Sequence, residues 1–211
     1  MRLVPIAALA LLATAALPAH AESLPPRDEC ASLPGFAAFR ARLDDAVFRR
    51  DVEALLALTD PNIALDFGGG AGHAQMREDW RLGEGSQSPI WGELGTMLRL
   101  GCAGNADGAA MPHMFNRFPE RYDPFASALT IGIRIALRAG PSFDARVLAR
   151  LDFETLALTG TDPEAEWQPV RMDDGRAGFV HRDLLRRPID YRLIFDRVNG
   201  QWRIGALIAG D

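Results

Sequence analysis

Residues 191–211 read YRLIFDRVNGQWRIGALIAGD, two alternating runs on either side of Asn199-Gly200. Both central residues of a tight type I′ turn need positive φ, which Asn-Gly supplies at low cost, so the stretch predicts a β-hairpin. Pairing outward from the turn sets Arg197 opposite Trp202, Phe195 opposite Ile204, Leu193 opposite Ala206 and Tyr191 opposite Ile208. One face of that ribbon is apolar almost throughout. The other sets Asp196 against Arg203, a cross-strand charge match worth a fraction of a kcal/mol. Whether the hairpin completes the helical part of the chain or the β-rich part is left open by the sequence.

Upstream the periodicity is helical. Phe36, Phe39, Leu43 and Val47 recur at steps of three and four, one stripe of a helix. Asp51 is placed to cap a second helix carrying Val52, Leu55, Leu56 and Leu58, which Asp60-Pro61 ends. Ile63–Phe67 reads as a short strand cut off by the glycine run 68–72, and a third helix includes Met76 and Trp80. The fourth helix has Ser88 as N-cap, Pro89 at its first position, Ile90, Trp91, Leu94, Met97 and Leu98 as its buried face, and Gly101 as its stop. Residues 103–124 read as a long connection in which Met111–Phe118 alone pack on the core. From Leu129 onward β-branched, alternating runs are punctuated by Gly140-Pro141, Gly160, Asp174-Gly175 and Asn199-Gly200, the spacing of a small β-module.

The first residues bear on compartment. Arg2, the apolar run Leu3–Leu17, and Ala19-His20-Ala21 read as a secretory signal peptide cleaved after Ala21, which predicts a periplasmic or secreted protein with no membrane insertion. The formal net charge is −5 and every basic side chain other than histidine is arginine; a mildly acidic chain argues against nucleic acid or an anionic membrane as partner. Cys30 and Cys102, an even pair in an exported chain, predict one disulfide.

Three pieces in order carry a family resemblance: Ile135-Ala136-Leu137-Arg138-Ala139-Gly140-Pro141-Ser142; then Val147–Leu151 and Thr155–Leu158; then Trp167-Gln168-Pro169-Val170-Arg171, Asp174-Gly175-Arg176 and Gly178-Phe179-Val180-His181. Together, residues 133–187 resemble a bacterial Src-homology-3 (SH3b) domain. Phe179 stands where that family usually has tryptophan, and Pro169 interrupts the strand after Trp167. The resemblance implies an SH3-like β-barrel with a surface groove. The flanks, RRDVEALLALTDPNIALDFGG and the closing hairpin, are similar to the first helix and last hairpin of nuclear-transport-factor-2-like cone folds, which implies a β-module inserted in, or packed between, parts of one larger domain.

The fold class expected is therefore α+β: a signal peptide at 1–21, an arm at 22–35, a mainly helical region at 36–124, an SH3-like barrel at 129–187, and a C-terminal hairpin at 190–211. Trp167, Phe179, Phe143 and Arg138 are the candidate ligand-binding residues, because aromatics give contact area at low entropic cost and arginine grips a carboxylate in two places. The alternative for Trp167 and Phe179 is that they fill the barrel interior. No catalytic residue is assigned: Cys102 follows a helix C-terminus, where the dipole opposes thiolate formation, and Cys30 lies in a proline-rich arm. No metal site is assigned either, since His73 and His113 with Asp66, Asp79 or Glu120 match no ligand spacing. The glycine run before a helix could cradle an anion, or be a turn. The function expected is a non-catalytic envelope protein, without cofactor, that recognises peptidoglycan or a periplasmic protein. The alternatives are a cone-shaped small-ligand binder or hydrolase, with a pocket lined by Trp80, Trp91, Phe195 and Trp202, and a structural accessory protein.

Overall fold

In the computed structural model, residues 23–210 are described; the signal-peptide expectation lies outside them. The chain forms two sheets with two separate apolar cores. The first part runs α1 (Phe36–Arg49), α2 (Val52–Ala57), β1 (Thr59–Ala64), α3 (Gly72–Asp79), α4 (Ile90–Arg99), β2 (Ala103–Gly104) and β3 (Gly108–Met111). The second runs β4 (Ser127–Thr130), β5 (Ile135–Arg138), β6 (Val147–Leu151), β7 (Thr155–Leu158), β8 (Trp167–Arg171), β9 (Ala177–His181) and β10 (Leu185–Arg186). The hairpin β11 (Arg192–Val198) and β12 (Gln201–Ile208) then returns to the first sheet, whose order is β1-β12-β11-β3-β2. The second sheet is built wholly from residues between β3 and β11, so it is an insertion in the first unit.

Local chemistry explains most of the helices. α1 buries Phe36, Phe39, Leu43 and Ala46, and the Asp51 side chain accepts the Ala54 amide at 3.0 Å, capping α2 as its position predicts. The Ser88 hydroxyl accepts the Ile90 amide at 3.3 Å, and Gly101, at φ +77°, ends the turn after α4. Their buried faces meet the hairpin: Phe36 and Phe39 stand edge-on to Phe195 with ring centroids 5.3 and 5.6 Å away, and Phe36 meets Trp202 at 5.2 Å. Each such aromatic pair adds about 1 kcal/mol beyond burial.

The hairpin register holds near the turn and slips beyond it. Arg197↔Trp202, Asp196↔Arg203 and Phe195↔Ile204 pair as predicted, but the next pairs are Ile194↔Ala206, Leu193↔Leu207 and Arg192↔Ile208. Gly205 is the extra residue, a bulge that moves the inward set from Trp202 and Ile204 to Leu207. A Cβ at Gly205 would meet the Asp196 carboxylate, which would have to swing aside.

Two other stretches differ from expectation. The strand predicted at Ile63–Phe67 lies at Thr59–Ala64 and runs through Asp60-Pro61; β1 is an edge strand, where a missing amide is tolerated, and its register with β12 is irregular. The supposed connection after Cys102 contains β2 and β3, whose Ala109, Ala110 and Met111 are buried. Glycine and alanine hide a strand from pattern reading because their side chains carry little hydrophobic signal.

Residues 129–187 do not close into the predicted barrel. Their sheet, ordered β10-β4-β7-β8-β9-β5-β6, is open, with β10 and β6 as its edges. The last strand, Leu185–Arg186, is spent on pairing with β4 and does not reach β6. Leu137, Leu151, Leu156, Val170, Met172 and Val180 form its small core. Gly178 is needed where β9 crosses β5: a Cβ there would stand 2.5 Å from the Arg138 carbonyl oxygen.

The arm before α1 straps the two units together. The Leu24 amide donates to the Phe153 carbonyl at 2.7 Å and Ser23 Oγ to the Asp152 carbonyl at 2.7 Å, while the Glu29 amide donates to the Cys102 carbonyl at 2.9 Å. The predicted disulfide is present, with Cα atoms 5.6 Å apart and both cysteines fully buried. Among the described residues no helix is long and apolar enough to cross a membrane.

Candidate functional site

A cleft of about 480 Å³ opens where α4 of the first unit faces the inserted sheet. Glu93 and Thr96 on α4 form one wall; Ala128, Ile131, Leu158 and Leu185 give it an apolar floor. The polar wall comes from the segment that leads back to the first sheet, "RDLLRRPIDY", residues 182–191.

Arg186 organises that wall. Its side chain is only 7% exposed, and its Nη2 donates to Glu93 Oε1 at 2.7 Å and to the Tyr191 carbonyl. Truncating one partner of such a buried pair leaves the other charge uncompensated. Its Nε is buried with no hydrogen-bond partner among the described residues. The neighbouring Arg187 amide donates to Asp190 Oδ2 at 2.7 Å, which fixes the turn and leaves the Arg187 guanidinium without hydrogen bond or ion pair among the described residues.

Across the cleft, Arg182 donates to the Glu164 carbonyl at 2.8 Å and to its carboxylate at 3.3 Å. The loop carrying Glu164 is held by Gln168, whose buried amide nitrogen donates to the carbonyls of Asp162, Pro163 and Ala165 at 3.1, 3.2 and 2.9 Å. Tyr191 closes one side, its ring 4.8 Å from that of Trp80. Burial first, then the Glu93 and Asp79 charges, raise its phenol above the ordinary 10.0. Sequence reading missed this site. Its one signal was the Arg186-Arg187 pair in an otherwise apolar run.

The four residues singled out in the sequence do share a surface, the outer face of the inserted sheet. Trp167 pairs with His181, Pro169 with Phe179, and Arg138 with Phe179, so these side chains project opposite the buried Gln168, Val170 and Val180. Phe143, 61% exposed, packs its ring 4.8 Å from Trp167 and 5.3 Å from His181, with the Arg138 guanidinium 5.9 Å from its centroid. Trp167 and Phe179 are thus half-buried on a surface and do not fill an interior. His181, unforeseen, is the third ring of the cluster. Its Nδ1 accepts the Asp183 amide at 3.3 Å, so Nε2 carries the proton toward Glu166 Oε1, 3.3 Å away.

Other candidates are occupied. Trp80, Trp91, Phe195 and Trp202 are buried in the first core. Asp66 Oδ1 accepts the amides of Gly68 and Gly70 at 2.7 and 2.8 Å, so an internal carboxylate fills the glycine-run cradle. His73 Nε2 lies 2.7 Å from Thr59 Oγ1, and the buried His113 contacts Glu29 Oε1 at 3.1 Å. Among the described residues one group of possible metal ligands converges, Asp28 with Cys30 and Cys102, and both its sulfurs are consumed in the disulfide.

No family model and no curated protein matches the chain. Among solved structures, one similar chain is a protein of unknown function with a cystatin-like fold from Nostoc punctiforme: 16% identity, 82% of this chain and 86% of that chain, TM-score 0.28. Another is an NTF2-like protein of unknown function in nutrient uptake from Rhodospirillum rubrum: 14% identity, 83% and 96%, TM-score 0.28. The SH3b resemblance is corrected on two findings: no family model matches the chain, and the sheet that carried the resemblance is open.

Proposed function

We propose that this chain is a non-catalytic, extracytoplasmic small-ligand binder whose site is the cleft between α4 and the inserted sheet. The observation that carries the reading is a concavity of about 480 Å³ at the junction of two separately cored units, with a buried arginine in its wall. Ligand sites are typically clefts of about 300–1,000 Å³, and unit junctions are a preferred place for them. The tyrosine in its wall is raised by burial above the ordinary 10.0, away from the range useful to a base at neutral pH. A buried disulfide in a chain with two cysteines supports an oxidising compartment.

Differential scanning fluorimetry against sugars, organic acids, amino acids, short peptides and polyamines tests the proposal. At saturation one class should raise the melting temperature by about 5 °C or more, and Thr96→Trp, which fills the cleft from α4, should abolish the shift. A panel that shifts neither protein, or shifts both equally, overturns it.

A second reading rests on the Phe143–Trp167–His181 face. Its exposed Phe143 and half-buried Trp167 and His181 fit contact with a cell-envelope partner, peptidoglycan or protein, and retention on cell-wall sacculi measures the first of these.

A further inference from the structure

Resting on the cleft as the ligand site, we infer that its ligand is a small zwitterion carrying both a carboxylate and an ammonium, an amino acid or short peptide with an apolar side chain. The carboxylate half follows from the two adjacent arginines. Arg186 is held rigid by Glu93 and the Tyr191 carbonyl, and its buried Nε lacks a partner among the described residues. That Nε has almost no accessible surface, so Arg186 contributes its formal charge to the cleft wall and the donors open to a ligand are those of Arg187. Arg187 adds a half-buried guanidinium that no described residue engages, on the same cleft. A guanidinium presents the forked donors that match a carboxylate, and both arginines line the cleft.

The ammonium half follows from the opposite charges. Glu93, Glu164, Asp183 and Asp190 line the cleft against Arg182, Arg186 and Arg187, a formal balance of −1. A purely anionic ligand would meet that excess unfavourably, whereas a zwitterion answers both signs. Asp190 accepts the Arg187 amide through one oxygen, and Asp183 stands 3.8 Å from Arg182, so both carboxylates retain acceptor capacity. The floor of Ala128, Ile131, Leu158 and Leu185 accommodates an aliphatic side chain.

Isothermal titration calorimetry on the full mature chain tests this with L-leucine, alanyl-leucine, and the N-acetyl and C-amide forms of each. At least one zwitterion should bind, and removing either its ammonium or its carboxylate charge should weaken binding tenfold or more. Leucine alone binding identifies the ligand as an amino acid; the dipeptide alone identifies a peptide. Arg187→Gln, which breaks no internal contact of that side chain, should weaken the zwitterion tenfold or more and leave the C-amide form unchanged. Equal binding of zwitterion and C-amide, or an unaffected Arg187→Gln, overturns the inference. If neither zwitterion binds but an uncharged ligand shifts the melting temperature in a way that Thr96→Trp abolishes, the ligand class falls and the cleft stands. If nothing binds in that way, both fall.

Discussion

Glu29 shows how one side chain links the arm to the first sheet. Its carboxylate accepts Arg117 Nη2 at 2.6 Å and Nε at 3.2 Å, and lies 3.1 Å from His113 Nε2. The hydrogen bond from Arg117 holds its pKa below the ordinary 4.5; partial burial opposes this, and His113 adds to it. A carboxyl depressed on folding contributes its stability in full above the ordinary value and loses it as pH falls through the folded value. Glu29→Gln should therefore lower the melting temperature at pH 7 by an amount equivalent to about 1 kcal/mol or less, since the pair is partly exposed. The gap from the parent should close as pH falls below 4.5. A gap of the same size at pH 7 and pH 3 would show that Glu29 acts by packing alone. The sequence offered Glu29 no role, because its partners lie 84 and 88 positions away.

Among the elements, the β8–β9 hairpin was the most legible. Asp174-Gly175 closes it, with Gly175 at φ +87° and the Arg176 amide bonded to Asp174 Oδ1 at 3.0 Å. Strand alternation then fixes the outward set, Trp167, Pro169, Phe179 and His181. If that face contacts peptidoglycan, the mature protein should pellet with purified sacculi, and Trp167→Ala should reduce the pelleted fraction severalfold without changing the melting temperature by more than a few degrees. An intact protein that stays in the supernatant rules the contact out. Less legible were β3, made of small residues, and the bulge at Gly205. Alternation predicts a register only while both strands advance one residue per pair, and one inserted glycine reverses which side chains face the core.

For the whole molecule, the decisive fact is that β11 and β12 occupy the middle of the first sheet, between β1 and β3. They bring Phe195, Trp202, Ile204 and Leu207 into the core shared with α1 and α4. Removing residues 190–211 should unfold the helical unit, measured as loss of most of the helical circular dichroism. The core of the inserted sheet lies within residues 135–185, so its strands are not drawn from the deleted segment. Retained helical signal with an unchanged melting temperature would contradict this placement of the hairpin. The cleft belongs to the same scale: Glu93 and Arg186 stand 93 residues apart and meet because the inserted sheet docks against α4.

Composition, periodicity and turn chemistry alone determined the α+β class, the stripes of α1 and α4, the Asn-Gly hairpin and the disulfide pair. The disulfide rests on an even cysteine count, and the others on interactions within a few residues or on the two-residue and 3.6-residue repeats that any observer of the chain can count. Only the tertiary structure decided that the second sheet stays open, that the last hairpin serves the first unit, and that Arg186 and Arg187 face a cleft. Each of those depends on which distant surfaces meet, and the free energy of such meetings comes from shape and desolvation that no local pattern encodes.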